Sequence, residues 1–341
     1  MMKHTLGILV MLCATARASV WDRALTTPEA AAAKELYDIK MIEGDTATLT
    51  ATIQSASART VLESIRRAEA AYRAAAAARP DEAEPYFRIG QLLHQMYFDC
   101  DQSYFALRPP VTCQGNYATP ARREATIEAW NEFERRAPLD PRIDEILVKR
   151  AILSTKAVNG THTDREHLEA AARDYQAALD RNDGLSTVGG GNEQMLGNLA
   201  ETYMMLDRLD DAIATYRRAV AIGAARVSTV YGLAVATDRD GSGELAFRYI
   251  QGQGTSGLDA FHKDYASNSV FFVPEGEAFY YFALAKEAFG EDSDALEYWQ
   301  RYVKSGAHPE FQPRAQEHID ELRKRHVRPD SHASDPDEPG R

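Results

Sequence analysis

Three stretches of the sequence carry residue types at spacings that chemistry could use. Asp238-Arg239-Asp240-Gly241-Ser242-Gly243 opens like a calcium loop, with oxygen donors at alternate positions and a glycine for the sharp bend. Such a loop closes on a bidentate Glu six residues after that glycine, where this chain has Tyr249. The stretch therefore reads as a turn. Gly189-Gly190-Gly191 has the glycine content of a phosphate cradle, but no Lys-Ser/Thr follows and no strand precedes it. It reads as a linker. His162 and His167 lie five apart, which on a helix turns them to different faces, and no third ligand stands nearby. Neither H-E-x-x-H nor G-x-S-x-G occurs, and scattered carboxylates cannot be paired as catalytic acids from spacing alone. The expectation is no metal site, no cofactor and no catalytic residue.

The cysteines and the N-terminus concern location. Lys3 precedes the apolar run Leu6 to Cys13, and Ala16-Arg17-Ala18 follows. This is the layout of an export signal, with cleavage expected after Ala18. The run is far shorter than the ~20 residues a membrane span needs, and no other stretch could cross, so a periplasmic or secreted protein is expected. Removing residues 1–18 leaves Cys100 and Cys113, and an even pair in an exported chain is read as a disulfide. The formal charge of −12 disfavours a nucleic-acid partner, which calls for clustered Lys and Arg. Asn159-Gly160-Thr161 fits a glycosylation acceptor but reads better as a turn.

The elements that would position these residues are helical. A helix is expected from Pro28 to Met41, ended by Gly44–Asp45, and others over Arg59 to Arg79, Pro85 to Tyr97 and Pro141 to Val158. Alanine followed four residues later by an aromatic recurs at Ala68/Tyr72, Ala129/Phe133, Ala171/Tyr175, Ala212/Tyr216 and Ala295/Trp299. The stretch Leu196 to Ile222 reads as two short amphipathic helices, with Leu196, Leu199, Ala200 and Tyr203 on one face of the first. Moving forward by about 34 residues turns Leu199–Ala200 into Leu233–Ala234, and Ala212 into Ala246.

That spacing, W-x2-L-G-x2-Y followed by A-x3-F, resembles the tetratricopeptide repeat (TPR) family. Leu196 stands where Trp is usual and Ala200 where Gly is usual. The resemblance implies an all-α fold, a right-handed α-solenoid of helix-turn-helix repeats over residues 19–326. The clearest copies span 193–260 and 276–309, with two long loop insertions at 98–119 and 252–273. A final helix, Gln312 to Arg325, would cap the array, and residues 327–341 would form a disordered tail.

In that family first helices line a concave groove. By register the groove here would receive Phe87, Gln91, Gln194, Glu201, Tyr231, Val235, Tyr280 and Leu284. Gly197 and Glu201 replace the Lys and Asn with which some members clamp a carboxylate. The expected function is a non-catalytic exported scaffold that binds a protein or peptide, with Tyr231 and Tyr280 as anchors and Glu201 favouring a basic segment. Two alternatives stand beside it. One is an enzyme or enzyme subunit with its site in the insertions 98–119 and 252–273. The other is a carbohydrate or small-molecule binder using Tyr97, Phe98, Tyr104 and Phe105.

Overall fold

The computed structural model describes residues 27–52, 58–101, 119–155, 164–181, 192–222, 226–266, 270 and 275–327. Among them are fourteen α-helices and no strand, so the fold is all-α. The proposed export signal, Cys113, His162, Gly189 to Gly191, Asn159 to Thr161 and residues 328–341 lie outside the described residues. So do most of the insertion at 98–119 and the side chain of Cys100. None of the described helices is long and apolar enough to cross a membrane.

The chain divides into two compact units. The first contains α1 (Pro28–Ala51), α2 (Ala58–Ala78), α3 (Glu84–Asp101) and most of α4 (Pro120–Arg136). Thr27 caps α1, its hydroxyl accepting from the Ala30 amide at 3.2 Å, and Pro28 opens it. The helix does not end at Gly44–Asp45 as its sequence suggests. Gly44 is buried where the Tyr72 ring of α2 crosses, and a Cβ there would overlap that ring. The glycine is a close-approach site rather than a stop. The Tyr72 hydroxyl donates to Asp45 at 2.8 Å, tying the same crossing. The threonine-rich end is helical too, with the Thr48 and Thr50 hydroxyls turned back onto the carbonyls of Gly44 and Thr46, at 3.0 and 2.8 Å. The core of this unit joins Ala47, Ile65, Ala68, Tyr72, Ile89, Leu92, Leu93 and Ala129. Arg136 fastens the end of α4 to the start of α3. Its guanidinium lies 4.0 Å over the Tyr86 ring and donates to the Pro80 carbonyl at 2.7 Å.

The second unit runs from α5 (Ile143–Thr155) and α6 (Arg165–Arg181) to the C-terminal helix. Between them come α7 (Asn192–Met205), α8 (Leu209–Ala221), α9 (Val227–Arg239), α10 (Gly243–Gln251), α11 (Gly254–Ala266), α12 (Ala278–Ala288) and α13 (Asp292–Ser305), and α14 (Gln312–Val327) ends the series. A buried ion pair, Arg150 to Asp174 at 2.6 and 2.7 Å, holds α5 on α6.

Three hairpins, α7–α8, α9–α10 and α12–α13, turn in the same way. Each has one residue in the left-handed region, Asp207 (φ 59°), Gly241 (φ 85°) and Gly290 (φ 74°). In each the next amide bonds back five residues, Arg208 to Tyr203, Ser242 to Thr237 and Glu291 to Lys286, at 2.9 to 3.0 Å. These turns stand 34 and then 49 residues apart, so the third copy is displaced by 15 residues from the period. Ala212, Ala246 and Ala295 are fully buried, each with its large partner four residues on: Tyr216, Ile250 and Trp299. The small residue lets the facing helix approach, and the large one fills the space beyond it.

The displaced 15 residues were expected as a loop, and residues 254–266 form helix α11 instead. Its Phe261 is fully buried, with ring centroids 5.0 Å from Tyr231, 5.9 Å from Tyr281 and 5.4 Å from Phe282. The inserted helix also changes direction. The C-terminal end of α9 meets the beginning of α12 through Asp238–Tyr280 and Arg239–Glu277, while Gln251 at the end of α10 donates to Ala288 at the end of α12. Thus α12 runs antiparallel to α9 and parallel to α10.

Candidate functional site

The residues expected to line an open groove fall into two groups. Tyr231, Val235, Tyr280 and Leu284 are buried, with 1%, 1%, 0% and 0% of their surface exposed. They cannot be the anchors of an incoming partner, and that expectation is corrected. For Tyr231 the cover includes α11, whose Phe261 packs on the ring. Tyr280 lies edge-on to Trp299 and Tyr302, at 4.6 and 5.0 Å. Phe87, Gln91, Gln194 and Glu201 are half-buried. Phe87 leans on Phe133 of α4 at 5.2 Å, within the first unit. Gln194 and Glu201 share α7 in the second.

What the second unit assembles instead is a chain of buried charges around Asp238, the residue whose sequence context suggested a calcium loop. Asp238 accepts from the Tyr280 hydroxyl (2.7 Å), from Arg314 (2.7 Å) and from Nε2 of His318 (3.0 Å). Three donors already point at this carboxylate, so it is no free ligand for a cation. On its other ring nitrogen His318 meets Glu287 at 2.8 Å, and Glu287 also accepts from the Trp299 indole at 3.0 Å and from Arg325. The His318 ring stacks on Trp299 at 4.4 Å. Arg314, His318 and Arg325 lie on one face of α14, at intervals of four and seven residues. The network therefore ties α14 to α9, α12 and α13.

Burial works to discharge His318, but the carboxylates of Asp238 and Glu287 outweigh it and hold its pKa up at about 9. Burial likewise opposes ionisation of Asp238, yet His318 and Arg314 bring its pKa down to about 2. Near neutral pH the ring is an imidazolium gripped at both nitrogens. It has no lone pair to offer as a base, and at 3% exposure no substrate reaches it. The arrangement of acid, imidazole and acid fastens α14 to α9 and α12.

A second buried pair lies beside the first. One nitrogen of Arg239 donates to both Glu277 oxygens, at 2.7 and 2.9 Å. Its guanidinium plane is sandwiched between Tyr280 (4.4 Å) and Phe311 (4.0 Å). Burial raises the Glu277 carboxyl despite the neighbouring cation.

Glu201 differs from these groups in being only part-buried. Its Oε2 accepts from the hydroxyls of Tyr216 on α8 (2.5 Å) and Tyr281 on α12 (2.8 Å). Burial, and next the Glu201 charge, push Tyr216 and Tyr281 far above the ordinary phenol range, so both stay donors. Sequence reasoning singled out Glu201, and Tyr216 only as a packing residue; it did not join either tyrosine to Glu201, and Tyr281 lies 80 residues away. It weighed Asp238 only as part of a calcium-like turn, and it missed Glu287 and His318. The one available sign was the basic face of α14 in an otherwise acidic chain. His167, weighed as a metal ligand, sits in the first turn of α6 and pairs with Asp164 at 2.6 Å. Among the described residues no three His, Cys, Asp or Glu side chains form a metal-sized cluster.

No family model matches this chain, and no curated protein is similar to it.

Proposed function

We propose that this chain is a non-catalytic TPR-like α-solenoid that works as an exported scaffold and binds a protein or peptide partner through the part-buried edge of α7 that carries Glu201. Support for the repeat class comes from the three matching turns, the 34-residue spacing and the recurring buried Ala-x3-large pairs. Packing runs mainly between helices next to each other in sequence, as in repeat proteins. The first eighteen residues support export, which would also oxidise Cys100 and Cys113 to a disulfide.

The observation that carries the binding site is Glu201. It is a carboxylate held in place by two tyrosines yet only part-buried. Such a fixed acceptor suits a Lys or Arg of an incoming segment, with Gln194 one face-repeat away on the same helix. The buried histidine and acids are committed to one another, and residues 254–266 of the second insertion form a helix that packs on α9 and α12 through Phe261, which weakens the reading as an enzyme with a site there.

Affinity capture from the exported fraction, with wild type and Glu201→Gln compared, tests the proposal. The expected result is a captured partner that elutes with added salt and is retained at least tenfold less by Glu201→Gln. Equal retention by both proteins would move the site off α7.

A further inference from the structure

The carboxylate of Glu201 is held asymmetrically. Both tyrosine hydroxyls donate to the same oxygen, Oε2, Tyr216 from α8 at 2.5 Å and Tyr281 from α12 at 2.8 Å. The two phenols are fixed there. Each is buried, Tyr281 stacks on Phe261, and the Tyr216 hydroxyl fills the space that a Cβ on Gly232 of α9 would need. A carboxylate oxygen offers two lone pairs, so Oε2 has none left for a further donor. Oε1 accepts from none of the described residues and is not enclosed. No Lys or Arg among the described residues pairs with this carboxylate, so two neutral donors leave its charge uncompensated. The neighbouring Glu277 is no substitute acceptor, since it is buried and Arg239 takes both of its oxygens.

We propose that Glu201 takes a lysine ammonium of the partner in preference to an arginine, and that Tyr216 and Tyr281 set this preference by occupying Oε2. The inference rests on Glu201 being the contact for an incoming cation, and adds which cation. A carboxylate with both oxygens free favours arginine, whose planar guanidinium donates two parallel bonds, one to each oxygen. Here the second of those bonds has no acceptor. A guanidinium on Oε1 turns its other N–H towards an oxygen that is already filled. A compact ammonium gives one proton to Oε1 and keeps the other two in water. The tyrosines thus act on specificity by removing the geometry that arginine exploits.

The test selects random heptapeptides displayed on phage, in parallel on the full wild-type chain and on Glu201→Gln. Peptides enriched on the wild type alone should carry Lys and be depleted of Arg. One with a single Lys, labelled and resynthesised with Arg in its place, should bind the wild type at least about fivefold more weakly by fluorescence anisotropy. The double variant Tyr216→Phe, Tyr281→Phe frees both oxygens, and there the preference for Lys should vanish or reverse. If the tyrosines were only structural, the variant would weaken both peptides alike and leave their ratio unchanged, which would overturn the proposal. Should the double variant lose its far-ultraviolet spectrum, Tyr281→Phe alone, which frees one lone pair of Oε2, carries the same comparison. Selection of Arg-bearing peptides that depend on Glu201 would also overturn the preference while leaving Glu201 as the contact. If no selected peptide depends on Glu201, the contact itself falls, and the preference with it.

Discussion

Asp238 shows what a single carboxylate does in this molecule. Its three donors come from α12 and α14, and it is fully buried, so removing its charge strands His318 and Arg314 opposite a neutral group. Asp238→Asn should destabilise the second unit by about 3–5 kcal/mol in urea denaturation, since a buried cation is left without its partner. The same geometry sets a pH window. The folded pKa of His318 is raised to about 9, so its contribution is complete below the unfolded value near 6.5 and is lost as pH rises through about 9. Asp238 is depressed to about 2, so its contribution is complete above about 3.9 and is lost as pH falls towards 2. The urea midpoint should therefore fall on the alkaline side between about 7 and 9. His318→Gln should flatten that limb while lowering the plateau. None of these roles was legible in the sequence. Asp238 and His318 are 80 residues apart, and residue type carries no record of a partner at that distance.

At the scale of elements the sequence was more informative. The Ala-x3-aromatic spacing marked α8 and α13, and the 34-residue shift carried it to Ala246 and Ile250 of α10, because a small and a large residue one turn apart is a packing requirement and leaves a local trace. Ala212 is fully buried, so Ala212→Leu should overpack the α7–α8 hairpin and cost about 1–3 kcal/mol by thermal denaturation. Gly232 makes the complementary case. A Cβ there would run into the Tyr216 ring, so Gly232→Ala should lower stability despite alanine's higher helix propensity. Glycine was also where reading failed. Gly44 looked like a helix end and proved to be a crossing point. Gly252, Gly254 and Gly257 made the start of α11 look like a loop. Only the contacts of Phe261 with three aromatics show why that segment is helical, and those lie on α9 and α12. Phe261→Ala should cost about 3–5 kcal/mol and loosen α11 in hydrogen exchange.

For the whole second unit, the relevant feature is how the series of hairpins ends. The side chains at its C-terminal end, Glu287, Trp299 and Asp238, are all covered by α14. A chain truncated after Ala307 should bind a hydrophobic dye and lose thermal stability, because a terminal hairpin without its polar cover exposes its core face. The same cover explains why Tyr231, Val235, Tyr280 and Leu284, expected on an open groove, are buried. Register tells which side chains face inward, and only the path of α11 and α14 decides whether inward means solvent.

The inserted α11 has a further consequence, one of parity. Hairpins added or removed among α7–α10 change the helix count by two and leave the direction of every later helix as it was. A single helix changes it by one, so the α12–α13 pair enters reversed and its partners are found at opposite ends. Lengthening this protein by duplicating a hairpin before α11 would preserve the Asp238-type junction, carried by whichever copy comes last. Deleting α11 alone would present Tyr280 and Glu277 at the wrong end of α9.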